Sequence, residues 1–172
     1  GEVIFEGIDV CKLSESELSK FRLNKMGFVF QNSQMLKNLS IFDNIILPGM
    51  VAKRESIEVV RARATELMSK MGIEDIKDRD IREVSGGQLQ RAAICRAMIN
   101  SPEILFMDEP TGALNSEAAS QVMEILKKLN QEGISIMLVT HDAKMASMAK
   151  KVIYIKDGKL AGEIELSNEE KA

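Results

Sequence analysis

Apolar positions along this chain follow two different rhythms. Ile104-Leu105-Phe106-Met107 and Ile136-Met137-Leu138-Val139 are apolar at every residue, which predicts strands covered on both faces. Gly27-Phe28-Val29-Phe30 reads as a third buried strand, and Val3-Ile4-Phe5 with Gly7 as a short strand and turn. Elsewhere the rhythm is helical. Ser14 and Glu17 make a capping box that opens a helix running to about Leu23. From Ser40 to Met71 the chain turns helical, with Val60, Ala64, Leu67, Met68 and Met71 on one face and Gly72 in the C′ place. A helix from near Ser85 must end before Ser101-Pro102, and Val122, Leu126 and Leu129 mark another that Gly133 stops. Val152-Ile153-Tyr154-Ile155, Asp157-Gly158 and Leu160 to Leu166 predict a hairpin, because a type I′ turn needs positive φ at Asp-Gly. The tail from Ser167 to Ala172 is polar and is expected to fray. Alternating strands and helices predict an α/β layer fold with a mainly parallel sheet.

Composition narrows the class. With 172 residues, 45% hydrophobic and 28% charged, the chain suits one globular domain burying roughly 70% of its extended surface. Disordered, collagen-like and disulfide-scaffold readings are excluded. The net charge of −3 offers no basic field for nucleic acid or acidic lipid. Cys11 and Cys95 form no CxxC, so reduced thiols are expected. No apolar run approaches the roughly 20 residues of a spanning helix. The expectation is a soluble cytoplasmic domain whose membrane contact, if any, goes through a partner.

Four features carry chemistry. Asp108 and Glu109 follow an apolar strand, the place where open α/β sheets bind ligands. One carboxylate can hold Mg²⁺ and the other can polarise a water; alternatively they form a plain acidic turn before Pro110. Ser85-Gly86-Gly87-Gln88 opens a helix whose free N–H groups can meet a phosphate, though Ser85 and Gln88 also spell an ordinary capping box. His141, the only histidine, follows the strand at Ile136–Val139 and could bond a phosphate oxygen, or simply sit at the surface. Gln31 follows the strand at Gly27–Phe30 and means little by itself.

Taken in order, these features resemble the nucleotide-binding domain of an ATP-binding cassette (ABC) ATPase. Gln31 matches the Q-loop, Val84 to Gln88 the signature sequence (with Val for the usual Leu), and Asp108-Glu109 the Walker B pair. Gly112-Ala113-Leu114-Asn115 matches the D-loop and His141 the switch histidine. Met26 to Gln31, Pro110-Thr111-Gly112 and Thr140-His141-Asp142 most resemble the branch of lipoprotein release, macrolide export and antimicrobial-peptide export. The resemblance implies a P-loop NTPase-like (RecA-like) sheet, with a helical and signature subdomain inserted at about residues 40–100. Two departures stand out. Asn115 replaces the usual Asp, and no GxxxxGK[ST] loop occurs. The chain therefore reads as a partial domain without the first P-loop strand, expected to be inactive as a 172-residue piece. In the family that strand lies between the ones matched by Ile136–Val139 and Val152–Ile155, so a gap is expected there.

For the intact domain, the resemblance implies Mg²⁺ held by Gln31 and Asp108, Glu109 as general base, and His141 on the γ-phosphate of ATP. Ser85, Gly86, Gly87 and Gln88 would meet the ATP of a second, head-to-tail domain. The helical segment would dock on a membrane-embedded permease, placing the subunit on the inner face of the membrane without nucleic acid. Two alternatives stay open. One is a non-hydrolysing regulatory or partner-binding module of this fold; the other is a soluble ABC ATPase acting on DNA or ribosomes.

Overall fold

The computed structural model describes residues 1–166, so the expected frayed tail lies outside the described residues. The chain divides into two compact units, Gly1–Leu138 and the segment from Val139 onward.

The first unit opens with a hairpin of β1 (Ile4–Phe5) and β2 (Ile8–Asp9), turned through left-handed Glu6 and Gly7. Helix α1 (Glu15–Lys25) starts on the expected capping box: the Glu17 amide donates to Ser14 Oγ, and the Ser14 amide to Glu17 Oε2 at 2.9 Å. It runs past Leu23 to Lys25 and feeds directly into β3 (Met26–Val29). The helical stretch after Ser40 is two helices, α2 (Ile41–Ala52) and α3 (Ile57–Lys70), broken at left-handed Lys53. Gly72 ends the pair as expected, at φ +61. Its N–H donates to Ser69 O and that of Ile73 to Met68 O, which together satisfy the last carbonyls of α3.

Helix α4 (Gly86–Met98), β4 (Ile104–Asp108), α5 (Ser116–Gln131) and β5 (Ser135–Val139) complete this part of the chain. Strands pair in the order β3-β4-β5, and β3 runs parallel to β4 with Val29 opposite Met107. Val29, Leu105 and Met107 are buried on one sheet face. A Cβ on Gly27 would stand 2.4 Å from Leu105 Cδ2 and 2.8 Å from the carbonyl oxygen of Ala97, so α4 crosses β3 where only glycine fits. Ile41, Ile45, Met68, Ile94 and Ile99 fill the core shared by α2, α3 and α4.

Strand burial departs from expectation. In β3 and β4 buried residues alternate with half-buried ones, and the rings of Phe28 and Phe106 cover each other by stacking at 5.3 Å. Strand β5 is the last in its sheet, so Met137 and Val139 are more than half exposed instead of buried.

The second unit holds the short helix α6 (Ala143–Ala146) and an antiparallel hairpin of β6 (Lys151–Lys156) and β7 (Lys159–Glu165). Asp157 and Gly158, at φ 50 and 72, make the expected turn. Among the described residues the hairpin forms a two-stranded sheet of its own.

Candidate functional site

Parallel pairing of β3 and β4 in register brings both chains out at one end of the sheet. Gln31 follows β3, Asp108 closes β4, and Glu109 comes next. Asp108 is exposed and Glu109 half-buried. Glu109 holds a left-handed backbone, φ 44, which costs a non-glycine residue roughly 1–2 kcal/mol. Its neighbours in the turn lock that conformation: Pro110 and Thr111 are buried, and the Gly112 amide donates to Glu109 O at 3.1 Å. The turn delivers Gly112 to Gln31. A Cβ on Gly112 would lie 3.4 Å from Gln31 Nε2 and 3.6 Å from Glu109 Cβ. Gln31 and Glu109 thus converge on a residue with no side chain.

The start of α4 lies close to the same turn. Ser85 caps it, with reciprocal bonds between Ser85 and Gln88, so the plain capping role is present. The two glycines differ. Gly86 is exposed, whereas a Cβ on Gly87 would stand 3.0 Å from Ala118 Cβ. Gly87 therefore has a packing duty, the close approach of α4 to α5, beyond any phosphate contact. Asn115 caps α5 by accepting from the Ala118 amide at 2.9 Å. A groove of about 400 Å³, lined by Gln31, Gln34, Lys37, Gly86, Gln90 and Leu114, joins these parts. A roomier groove of about 480 Å³, beside Arg63, Met98 and Leu129, touches none of the candidate residues.

His141 belongs to the second unit and is exposed there. Its two neighbours fix its backbone. Asp142 caps α6 by accepting from the Lys144 amide at 2.7 Å, and the Asp142 amide donates to Thr140 Oγ1 at 3.0 Å.

Two positioning side chains belong to none of the sequence motifs. Asn44, fully buried, accepts from the Leu36 amide and donates to the carbonyls of Leu36, Leu39 and Ser40. A signal for it does exist: an amide flanked by the apolar pairs Ile41-Phe42 and Ile45-Ile46 needs partners once that segment is buried. Arg96 on α4 donates to the carbonyls of Ser33 and Gln34 at 2.5 and 2.7 Å, and burial pushes its pKa down. No pattern in the sequence marks those carbonyls.

Among the described residues no three His, Cys, Asp or Glu side chains gather into a metal cluster. The oxygen donors at the strand ends are the carboxylates of Asp108 and Glu109 and the amide oxygen of Gln31. Such sparse oxygen donors fit Mg²⁺, which binds through one or two carboxylates plus substrate phosphates.

The chain is similar to known proteins in sequence and in fold. Residues 1–112 match the family model described as ABC transporter. YvcR of Bacillus subtilis, an uncharacterized ABC transporter ATP-binding protein, is 44% identical over 95% of this chain and 63% of its own length. LolD of Bdellovibrio bacteriovorus, a lipoprotein-releasing system ATP-binding protein, is 41% identical over 92% of this chain and 72% of its own. Among solved structures, the dimeric ATP-binding cassette MJ0796, in a post-hydrolysis state bound to ADP and Pi, superposes with a TM-score of 0.88 at 38% identity. That match covers 98% of this chain and 74% of the other. The chain thus spans only about 63% of the length of a relative such as YvcR.

Proposed function

This chain belongs to the ABC transporter family, and from that premise we propose that its residues serve in an ATP-hydrolysing subunit that powers a membrane transporter. The observation that carries the reading is the convergence of Gln31 and Glu109 on Gly112 at the ends of neighbouring parallel strands.

The chemistry is mostly positioning and electrostatics. Mg²⁺, when bound with the nucleotide, neutralises charge on the phosphate oxygens; Asp108 and Gln31 would hold it. Glu109 accepts the proton of the attacking water, and its strained backbone keeps the carboxylate at the strand end. His141 bonds the γ-phosphate, steadied by the capping of Thr140 and Asp142. Ser85, Gly86, Gly87 and Gln88 offer a helix N-terminus, with free N–H groups and a positive dipole end, to the ATP of a second subunit. The dimeric cassette MJ0796 supports that arrangement.

Membership in the ABC transporter family supports a permease partner as the route of membrane contact, with the subunit on its cytoplasmic face. The likeness to LolD favours export of lipoproteins or related amphiphiles as the work done. Co-purification tests this reading: the chain, joined to an upstream phosphate-binding segment, should bind a permease in detergent and hydrolyse ATP faster with it. Hydrolysis indifferent to every permease, or association with nucleic acid instead, would overturn it.

A further inference from the structure

We propose that Arg96 is a positioning residue that ties Gln31 to helix α4, so that the Gln31 side chain and the nucleotide-facing start of α4 keep a fixed relation. The proposal deepens the ATPase reading and rests on it for the roles of Gln31 and α4.

The loop after β3 is held at both ends. At its start, Phe30 stacks on Phe28 at 6.3 Å; at its far end, Met35 is buried and Asn44 grips Leu36. Between them Gln31 and Asn32 are exposed, and the path they take depends on residues 33 and 34. Extended backbone points successive carbonyls to opposite sides. Gln34 breaks that rule with a left-handed backbone, φ 51, which turns the carbonyls of Ser33 and Gln34 to one side. There a single guanidinium meets both. A planar fork with several N–H donors suits two fixed acceptors; an ammonium on a flexible stem does not.

Arg96 is unusual in its partners. Arg82 pairs with the carboxylate of Asp80, and Arg63 with that of Glu55. Arg96 instead directs its charge at two neutral carbonyls in a partly desolvated place. Such bonds are stronger than neutral ones, and leaving the part-buried carbonyl of Ser33 unmet is costly. Arg96 lies about three turns along α4 from Gly86, on a rigid element. The loop that carries Gln31 is thereby referenced to the same helix whose first turn faces nucleotide.

The test needs no nucleotide, so its outcome is independent of whether the chain hydrolyses ATP. In isotope-labelled protein, an NOE between the Gln31 side-chain amide and the Gly112 Hα reports the 3.4 Å approach, and the carbonyl ¹³C shifts of Ser33 and Gln34 report the clamp. Arg96→Ala should move both carbonyl shifts and weaken the NOE at least fivefold. Arg96→Lys should give an intermediate loss, and it carries the test if the alanine variant fails to fold. Arg63→Ala is the control, because Arg63 also bonds a backbone carbonyl, that of Ile99, at 2.8 Å. It should lower thermal stability yet leave the NOE intact. An undiminished NOE in Arg96→Lys with altered carbonyl shifts, or an equal loss in Arg63→Ala, would overturn the proposal.

Discussion

Gln31 Nε2 lies 3.4 Å from the point where a Cβ on Gly112 would stand, and that point is 3.6 Å from the Glu109 carbonyl oxygen. Only a small residue at this position leaves the amide room beside the turn that carries the carboxylate. The methyl of Gly112→Ala would sit at ordinary contact distance from Gln31 Nε2, whereas the longer side chain of Gly112→Leu would crowd the amide. Since Gly112 is exposed, stability should change by no more than about 0.5 kcal/mol. Hydrolysis by Gly112→Leu, measured with a phosphate-binding segment joined upstream of Gly1, should fall at least about tenfold, some 1.4 kcal/mol in the barrier, while Gly112→Ala should change it little. Equal activity would show that the approach has no catalytic use.

Ser85 faces two demands, capping α4 and meeting a partner's nucleotide. Ser85→Asp separates them, because Asp is as good a cap and stabilises a helix N-terminus. Thermal unfolding should be unchanged or slightly higher. With the phosphate-binding segment joined upstream, ATP-driven dimerisation, followed by light scattering, should be lost because the new carboxylate repels a triphosphate. A dimer that still forms would remove Ser85 from the shared site.

Glu109 stores backbone strain, and two substitutions expose it. Alanine keeps the cost of φ 44, whereas glycine relieves it while losing unfolded-state restriction. Glu109→Gly should therefore be more stable than Glu109→Ala by about 0.5–1 kcal/mol in urea melts. The opposite order would mean that the left-handed backbone carries no strain.

The cysteines differ by environment alone. Cys11 is exposed; Cys95 is fully buried in α4, and burial pushes its thiol up to about 12. A thiol reagent near neutral pH should label the native protein once, at Cys11, and twice after denaturation, since reactivity needs an accessible thiolate. Rapid native labelling of Cys95 would mean that α4 opens readily.

Local chemistry makes much of this legible in the sequence. Ser14 and Glu17, Gly72, Gly133, and Asp157-Gly158 each announce an element boundary, because a cap or a positive φ is a property of a few adjacent residues. The candidate site is legible as separate pieces: Gln31, Ser85 and Glu109 each sit at the end of an element, and their family resemblance orders them. The joints between the pieces are not legible. The gap at Gly112, the contact of Gly87 with Ala118 and the Arg96 clamp all arise between distant segments. Continuous apolar runs overstate burial on both strand faces for a related reason. Apolar composition fixes what a strand can cover, while its place in the sheet, as for β5 at the end, fixes what is covered.

Glu109→Gln tests the central claim most directly. The amide keeps the shape of the carboxylate and removes its capacity to take a proton, a loss worth roughly 10²–10⁴-fold in rate. With the phosphate-binding segment joined upstream, steady-state phosphate release should fall by that factor while ATP binding persists and an ATP-bound dimer accumulates. Phosphate release at the unsubstituted rate, or loss of ATP binding together with hydrolysis, would contradict the assignment of Glu109 as the base.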